Sequence, residues 1–218
     1  MIDLHTHTLL SDGELLPSEL VQRAVVCGYR AIAITDHVDQ SNMERILGEI
    51  IRFTEECKRD DIDVIAGVEL THIPPRYIPS MVERARRLGA GIVVGHGETL
   101  SEPVEKGTNM AFIDAGVDVL AHPGLVTPEE CRLACERSVF FEITTRPTHA
   151  LANGHVARMA ERFGVKVVIN TDTHGPSDLV TRSTAEKVLR GAGIEGETIK
   201  RIDSHAEEII NRVLVQGR

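Results

Sequence analysis

The feature that most constrains this chain is an alternation. Seven short apolar runs are separated by helical stretches, and a side chain of metal-ligand type stands at the end of nearly every run. The runs are Ile2 to His5, Arg30 to His37, Val64 to Glu69, Ile92 to His96, Val117 to His122, Val139 to Thr144, and Val165 to Asn170, the last leading into Thr171-Asp172-Thr173-His174. Strands alternating with helices imply right-handed βαβ units and a parallel sheet. In an open doubly wound sheet, strands far from the switch point cannot aim their ends at one place. A closed barrel gathers all strand ends at one mouth. The expected fold is therefore α/β, a distorted seven-stranded (β/α)7 TIM-like barrel, with residues 1–218 forming one domain. No fixed sequence period recurs, so a repeat array is not expected.

The helical stretches carry their own punctuation. Pro17 opens a helix with Leu20, Val21, Ala24 and Val25 on one face, and Gly28 closes it. Met43, Ile46, Leu47, Ile50, Ile51 and Thr54 keep helical spacing before the third run. Pro79 starts a helix through Met81, Val82, Ala85 and Leu88 to Gly89, and Met110, Ile113 and Ala115 suggest a short one closed by Gly116. Thr127-Pro128-Glu129-Glu130 combines a capping hydroxyl, proline at the first position and acids near the positive end of the dipole. A polar segment from Thr145 to His155 precedes a helix through Val156, Met159, Ala160 and Phe163 to Gly164. From Ser183 the chain reads as helices, the last with Ala206, Ile209, Ile210, Val213 and Leu214 on one face and His205 at the surface.

Composition agrees with buried parallel strands. Apolar residues make up 42% of the 218, yet Trp is absent and aromatics are only 3%, so the core is built from Val, Ile, Leu and Ala. A formal net charge of -9 argues against a general nucleic-acid surface, because affinity for polyphosphate comes from clustered Lys and Arg. Long nucleic acid is thus not an expected partner, although a metal-charged pocket is compatible with this balance. No apolar run reaches the length of a membrane span. Cys27, Cys57, Cys131 and Cys135 are scattered, and none stands beside a histidine at zinc-site spacing, so they read as reduced thiols of a cytoplasmic protein. Cys131 and Cys135, one helical turn apart, read as helix residues rather than as a metal pair.

The opening M-I-D-L-H-T-H-T-L-L-S-D-G places His5 and His7 on one side of a strand, since strand side chains repeat every two residues, and Asp12 follows in a turn. With the other strand-end residues the set becomes His5, His7, Asp12, His37, Glu69, His96, His122, Asp172 and His174. Each alone is a weak signal; nine at corresponding positions form a pattern.

The ordered motifs D-L-H-T-H-T-L-L-S-D-G, I-T-D-H, G-V-E-L, G-H-G, A-H-P-G and T-D-T-H, spread over residues 3 to 174, resemble the PHP family of polymerase and histidinol phosphatase metal-dependent phosphoesterases. The resemblance implies three divalent ions at the barrel mouth, zinc, manganese or iron. His5, His7, Glu69 and Asp172 would hold the first. Glu69 would bridge to a second held by His96 and His122, and Asp12, His37 and His174 would hold the third. Glu69, Asp172 and His174 take the catalytic roles in this reading.

Three divalent ions against Asp12, Glu69 and Asp172 leave a net charge of about +3, which selects a phosphate dianion. A hydroxide shared by two metals, available because metal binding lowers the pKa of water to roughly 7 or 8, would attack phosphorus in line with no covalent enzyme intermediate. Mixed nitrogen and oxygen ligands suit zinc, manganese or iron better than calcium.

Arg146 after the sixth run and Arg76 after the third could each fork onto phosphate oxygens. His149 and His155, in T-H-A-L-A-N-G-H, could protonate the leaving alkoxide or contact substrate, and His72 and Glu98 are further pocket candidates. The expected activity is hydrolysis of a small soluble phosphate monoester, histidinol phosphate first. The alternatives are a nucleotide phosphodiesterase or nuclease of the same family and, in another class, a non-catalytic partner module. An amidohydrolase-like deacylase would need a bridging lysine at a strand end; Lys166 begins a strand and Lys58 ends a helix.

Overall fold

The computed structural model describes residues 1–216, with side chains described through residue 213. Strand segments β1 (Ile2–Asp3), β2 (Ala31–Ile34), β3 (His37–Val38), β4 (Asp63–Leu70), β5 (Ile92–His96), β6 (Val119–Ala121), β7 (Phe140–Thr144) and β8 (Val167–Asn170) are all parallel, in the order β1-β2-β4-β5-β6-β7-β8. The expected second run is broken: its two segments, β2 and β3, both pair with β4, and Thr35-Asp36 interrupts them. Around the strands lie α1 (Pro17–Val26), α2 (Met43–Glu56), α3 (Ile78–Arg87), α4 (Thr108–Ala115), α5 (Pro128–Arg137), α6 (Asn153–Phe163), α7 (Arg182–Gly191) and α8 (Glu197–Gln216).

The sheet curls into a nearly closed seven-stranded barrel, and hydrogen bonds past the strand ends complete the closure. The N–H of His7 donates to the Thr173 carbonyl at 2.8 Å, and the N–H of Asp172 to the His5 carbonyl at 3.0 Å. Thr6 and Thr173 form a parallel bridge, and the Leu4 N–H reaches Asn170 Oδ1 at 2.9 Å. This seam sets His5 and His7 against Asp172 and His174, residues separated by most of the chain.

Period-two alternation sorts each strand between two cores. Val68, Val93, Leu120, Phe141 and Val167 face outward into the layer beneath the helices. Ile65, Ile92, Val94, Val119, Phe140 and Val168 fill the barrel interior, where Ala206, Ile209 and Ile210 of α8 join them. The terminal helix thus plugs the end of the barrel where the strands begin. Continuing the inward series toward the other end gives Glu69, His96 and Glu142, so polar chemistry is confined to the C-terminal mouth. Leu214, expected on the apolar face of α8, lies outside the described side chains. His205 is half-buried rather than at the surface, its Nδ1 2.8 Å from the Val167 carbonyl oxygen.

The capping hydroxyl expected at Thr127 is present and forms half of a capping box: its side chain accepts from the Glu130 N–H, and the Glu130 carboxylate accepts from the Thr127 N–H. The polar segment after β7 is shorter than expected. A 3-10 turn occupies Ala150–Ala152, and α6 begins at Asn153, so His155 belongs to a helix. No helix among the described residues is long and apolar enough to cross a membrane.

Candidate metal centre

Glu69 ends the inward series of β4 and is fully buried at the centre of the mouth. Its Oε1 lies 3.3 Å from His5 Nε2, 3.1 Å from His96 Nδ1 and 3.6 Å from His122 Nε2. On one side, His7 Nε2 is 3.2 Å from Asp172 Oδ1, which is 3.8 Å from His5 Nε2. On the other, Asp12 Oδ1 lies 3.6 Å from His37 Nε2 and 3.3 Å from His174 Nε2, with the His7 ring against both imidazoles at 4.1 and 4.2 Å between centroids. All nine strand-end residues meet in one cluster. Within it, His5–His7–Asp172, His5–Glu69–His122 and His7–Asp12–His37–His174 each bring donor atoms close enough to share an ion.

Local structure holds these side chains from behind. The Asp36 carboxylate, at the break in the second run, accepts from the N–H and hydroxyl of both Thr8 and Ser11 at 2.6 to 3.1 Å, folding the turn that carries exposed Asp12. Asp3 accepts from the N–H and hydroxyl of Thr171 at 3.2 and 2.5 Å, just before Asp172. His37 Nδ1 lies 2.7 Å from Thr71 Oγ1, and His174 Nδ1 2.9 Å from the Asp172 carbonyl oxygen. His72, His122 and Asp172 adopt positive φ of 52°, 29° and 53°. Such backbone costs about 1–3 kcal/mol per residue and persists where surrounding contacts over-determine it.

The glycines of G-H-G and A-H-P-G let two loops touch. A Cβ on Gly97 would sit 2.4 Å from the Ala121 carbonyl oxygen, and one on Gly124, at φ +66°, 2.0 Å from that of Glu98. His96 and His122 are thereby brought together, their rings 4.6 Å apart.

The protonation balance reflects crowding. Burial disfavours charge on His5, but the carboxylates of Glu142, Glu69 and Asp172 raise its pKa well above the ordinary histidine value. Burial likewise opposes charge on His96, which Glu69 and Glu102 nevertheless raise to about 10. Burial pushes Asp172 up to about 7. Burial and neighbouring imidazoles hold His7 and His122 well below the usual value. Glu69 stays well below the carboxylate range because His5, His37 and His96 outweigh the cost of its burial.

Several ring nitrogens in this cluster are buried with no hydrogen-bond partner: His5 Nε2, both nitrogens of His7, His96 Nε2 and His122 Nδ1. An unsatisfied buried polar group costs about 1–3 kcal/mol. Coordination is the natural relief for His5 Nε2 and His7 Nε2, which face carboxylate oxygens, and the donor set fits borderline divalent ions.

A cavity of about 490 Å³ opens above the cluster, lined by Asp12, His37, His96, His122, Asp172 and His174 and also by Ser11, Asn42, Thr71, His72, Glu102, Arg146 and His149. Arg146 reaches it with Nη1 3.1 Å from the Asp172 carbonyl oxygen and Nε 3.6 Å from Asp172 Oδ2. His149 Nδ1 lies 2.7 Å from Thr99 Oγ1, leaving Nε2 toward the cavity. Three expected contacts lie elsewhere. Arg76, on the 3-10 turn Pro75–Tyr77, lays its guanidinium 4.7 Å over the Tyr77 ring and does not line the cavity. His155 directs Nε2 to the Val126 carbonyl oxygen at 2.9 Å. Glu98 Oε1 accepts from the N–H groups of Gly107 and Asn109, a structural duty.

Two carboxylates that meet the cluster escaped the sequence reading. Glu142, fully buried, has Oε1 2.8 Å from His5 Nδ1 and accepts from Asn170 Nδ2 at 2.8 Å and from the His122 N–H at 3.0 Å. Its one sequence signal is a lone acid inside F-F-E-I-T, since a charge within a buried strand needs partners. Glu102 meets His96, His72 and His149 from the loop after β5.

A parallel barrel that gathers imidazoles and carboxylates at the C-terminal mouth defines a metal-dependent hydrolase of the TIM-like class. Residues 3–136 match the PHP domain model, and the chain belongs to the PHP family; it is a phosphoric ester hydrolase. It is 50% identical to an uncharacterized protein of Methanocaldococcus jannaschii over 215 residues, covering 97% of this chain and 99% of that one. A probable phosphatase of Thermoanaerobacter sp. (strain X514) is 25% identical, with 93% and 91% covered. Among solved structures, a chain of archaeal ribonuclease P with mature tRNA superposes with a TM-score of 0.71 at 18% identity, covering 98% and 91%. The histidinol phosphate phosphatase of Lactococcus lactis, complexed with zinc, L-histidinol and phosphate, gives 0.60 at 20%, covering 89% and 94%.

Proposed function

We propose that this protein is a phosphomonoesterase with three divalent ions, zinc, manganese or iron, acting on a small soluble phosphate ester, with L-histidinol phosphate the first candidate. The observation that carries the reading is Glu69, whose carboxylate is shared among the nitrogens of His5, His96 and His122 within 3.6 Å. One carboxylate so placed would serve two ions. His5, His7, Glu69 and Asp172 would hold the first ion, Glu69, His96 and His122 the second, and Asp12, His37 and His174 the third. When bound, the ions supply Lewis-acid stabilisation of phosphoryl charge and water activated near neutral pH.

The protein's own groups do the rest. Arg146, at the cavity wall, pairs with phosphate oxygens through its planar fork. If the Thr99 hydroxyl donates to His149 Nδ1, the ring proton would rest on Nε2, from which it would be donated to the leaving oxygen. Glu69, Asp172 and His174 would hold the ions against which a bound phosphate is oriented. The polar lining excludes a purely apolar ester. The free thiols fit a cytoplasmic setting.

The test is phosphate release by metal-loaded protein from a panel of monoesters, including L-histidinol phosphate, beside mononucleotides and oligonucleotides. Turnover of monoesters supports the reading. Cleavage of oligonucleotides without monoester turnover would replace it with a nuclease, and no release from any substrate would leave an interaction module.

A further inference from the structure

The loop joining β5 to α4, residues 97–107, carries two carboxylates with different work. Glu98 folds the loop, its Oε1 accepting from the N–H of Gly107 at 2.8 Å and of Asn109 at 3.1 Å. Asn109 Oδ1 returns a bond to the Glu98 N–H at 2.9 Å, and the Ser101 hydroxyl ties the loop to the Thr148 carbonyl. Glu102 has no such duty. Among the described residues its carboxylate meets only imidazoles: Oε2 lies 3.0 Å from His96 Nε2 and 3.4 Å from His72 Nε2, and Oε1 lies 3.4 Å from His149 Nε2.

His96 is buried and presents its other nitrogen, Nδ1, to Glu69 Oε1 at 3.1 Å. Its Nε2 is buried without an aligned hydrogen bond, and the Glu102 carboxylate is the anion 3.0 Å from it. At the floor of the mouth a comparable pairing is closed by a hydrogen bond, where His5 faces Glu69 and Asp172 with Nε2 and Glu142 with Nδ1 at 2.8 Å. A carboxylate behind a ligating imidazole fixes the ring and its tautomer and raises its basicity, and removing it typically lowers metal affinity about 10- to 100-fold.

We propose that Glu102 is a positioning residue for the second ion: a loop-borne carboxylate that fixes His96 from outside so that Nδ1 addresses the ion shared with Glu69 and His122. This rests on the reading of the nine strand-end residues as a metal centre. The loop keeps its own hydrogen bonds without Glu102, so its side chain serves the centre rather than the fold. Because it also contacts His149 and His72, it ties the second ion's ligand to the wall where substrate enters.

The experiment loads full-length wild type, E102Q, E102D and E98Q with Co2+ and titrates each with a chelator, reading metal per chain and the visible spectrum. E102Q is expected to release one ion per chain at about 10- to 100-fold lower chelator, with that ion's bands alone altered. E102D should recover part of the loss. E98Q should lower the melting temperature of the metal-free protein without selective release. Identical release and spectra for E102Q and wild type would overturn the proposal, as would equal loss of every ion or a lowered metal-free melting temperature in both Glu102 variants, which would mark a structural role. Wild type that takes up no Co2+ would overturn the metal centre itself, and the role of Glu102 with it.

Discussion

His5 Nδ1 lies 2.8 Å from Glu142 Oε1, both side chains fully excluded from solvent beneath the mouth. Glu142 also accepts from the His122 N–H and the Asn170 amide, so one carboxylate braces three strands and aims two of the proposed ligands. Glu142→Gln keeps the volume and forces an amide NH2 against groups that donate. Metal affinity should fall about 10- to 100-fold. Isothermal titration of metal-free protein with Zn2+ checks this, and an unchanged affinity would remove Glu142 from the centre.

Glu69→Ala removes a ligand shared by two ions and leaves one more positive charge uncompensated among buried imidazoles. Turnover should vanish and bound metal should drop below that of wild type in elemental analysis. An active Glu69→Ala protein would refute the assignment of the bridging carboxylate.

Arg146 contacts the Asp172 backbone and lines the cavity without standing among the nine. Loss of a charge-assisted contact worth about 1.5–3 kcal/mol should raise KM about tenfold or more in Arg146→Ala. Metal content should be unchanged. If metal were lost while KM held, Arg146 would be a support for Asp172 and not a substrate group.

The strand-end residues were legible because two simple regularities act together: parallel strands terminate at one mouth, and alternation decides which side chain faces inward. Glu142 was hidden by the same regularity, since it lies two positions before the end of its strand within an apolar run. Glu102 was hidden because its three imidazole partners come from the end of β5 and from the loops after β4 and β7, an assembly that no local spacing records. His155 was misread into the pocket because α6 starts at Asn153 with no side-chain cap. Asn153 is spent on β7 instead, its side chain bonding both the carbonyl and the N–H of Thr144. Arg76 follows two prolines, and that turn carries it onto Tyr77.

The protonation of the centre predicts its response to pH. Although burial opposes it, nearby carboxylates raise His5 well above the usual value and His96 to about 10, so both rings carry a proton in metal-free protein at pH 7. An ion takes only the deprotonated ring, so loading should expel at least one proton and affinity should fall with falling pH. The sign for folding is opposite in the metal-free protein. A raised folded pKa stabilises fully below the unfolded value of about 6.5, and that contribution is lost as pH rises through about 10 for His96. Zn2+ binding enthalpies measured in buffers of different ionisation enthalpy should give a non-zero slope; a slope of zero would contradict this balance.

Gly97 supplies the most local test of how the loops make the site. A methyl group there would lie 2.4 Å from the Ala121 carbonyl oxygen, 2.8 Å from Pro123 Cα and 3.1 Å from Asn109 Oδ1, and two of these are backbone that cannot swing aside. Gly97→Ala should therefore push the loop of His96 away from that of His122 and cost about 1–3 kcal/mol of overpacking, or roughly 2–12 °C in Tm. Gly28→Ala is the comparison, because at φ +81° it meets nothing within 4 Å and bears only the left-handed backbone cost of about 1–2 kcal/mol. The two variants can lose similar stability, but only Gly97→Ala should also weaken metal binding at His96 and His122, since only there does the displaced backbone carry ligands. Chelator titration of both, beside their melting curves, separates the effects. Equal metal affinity in the two variants would mean that the close approach of the loops serves the fold alone.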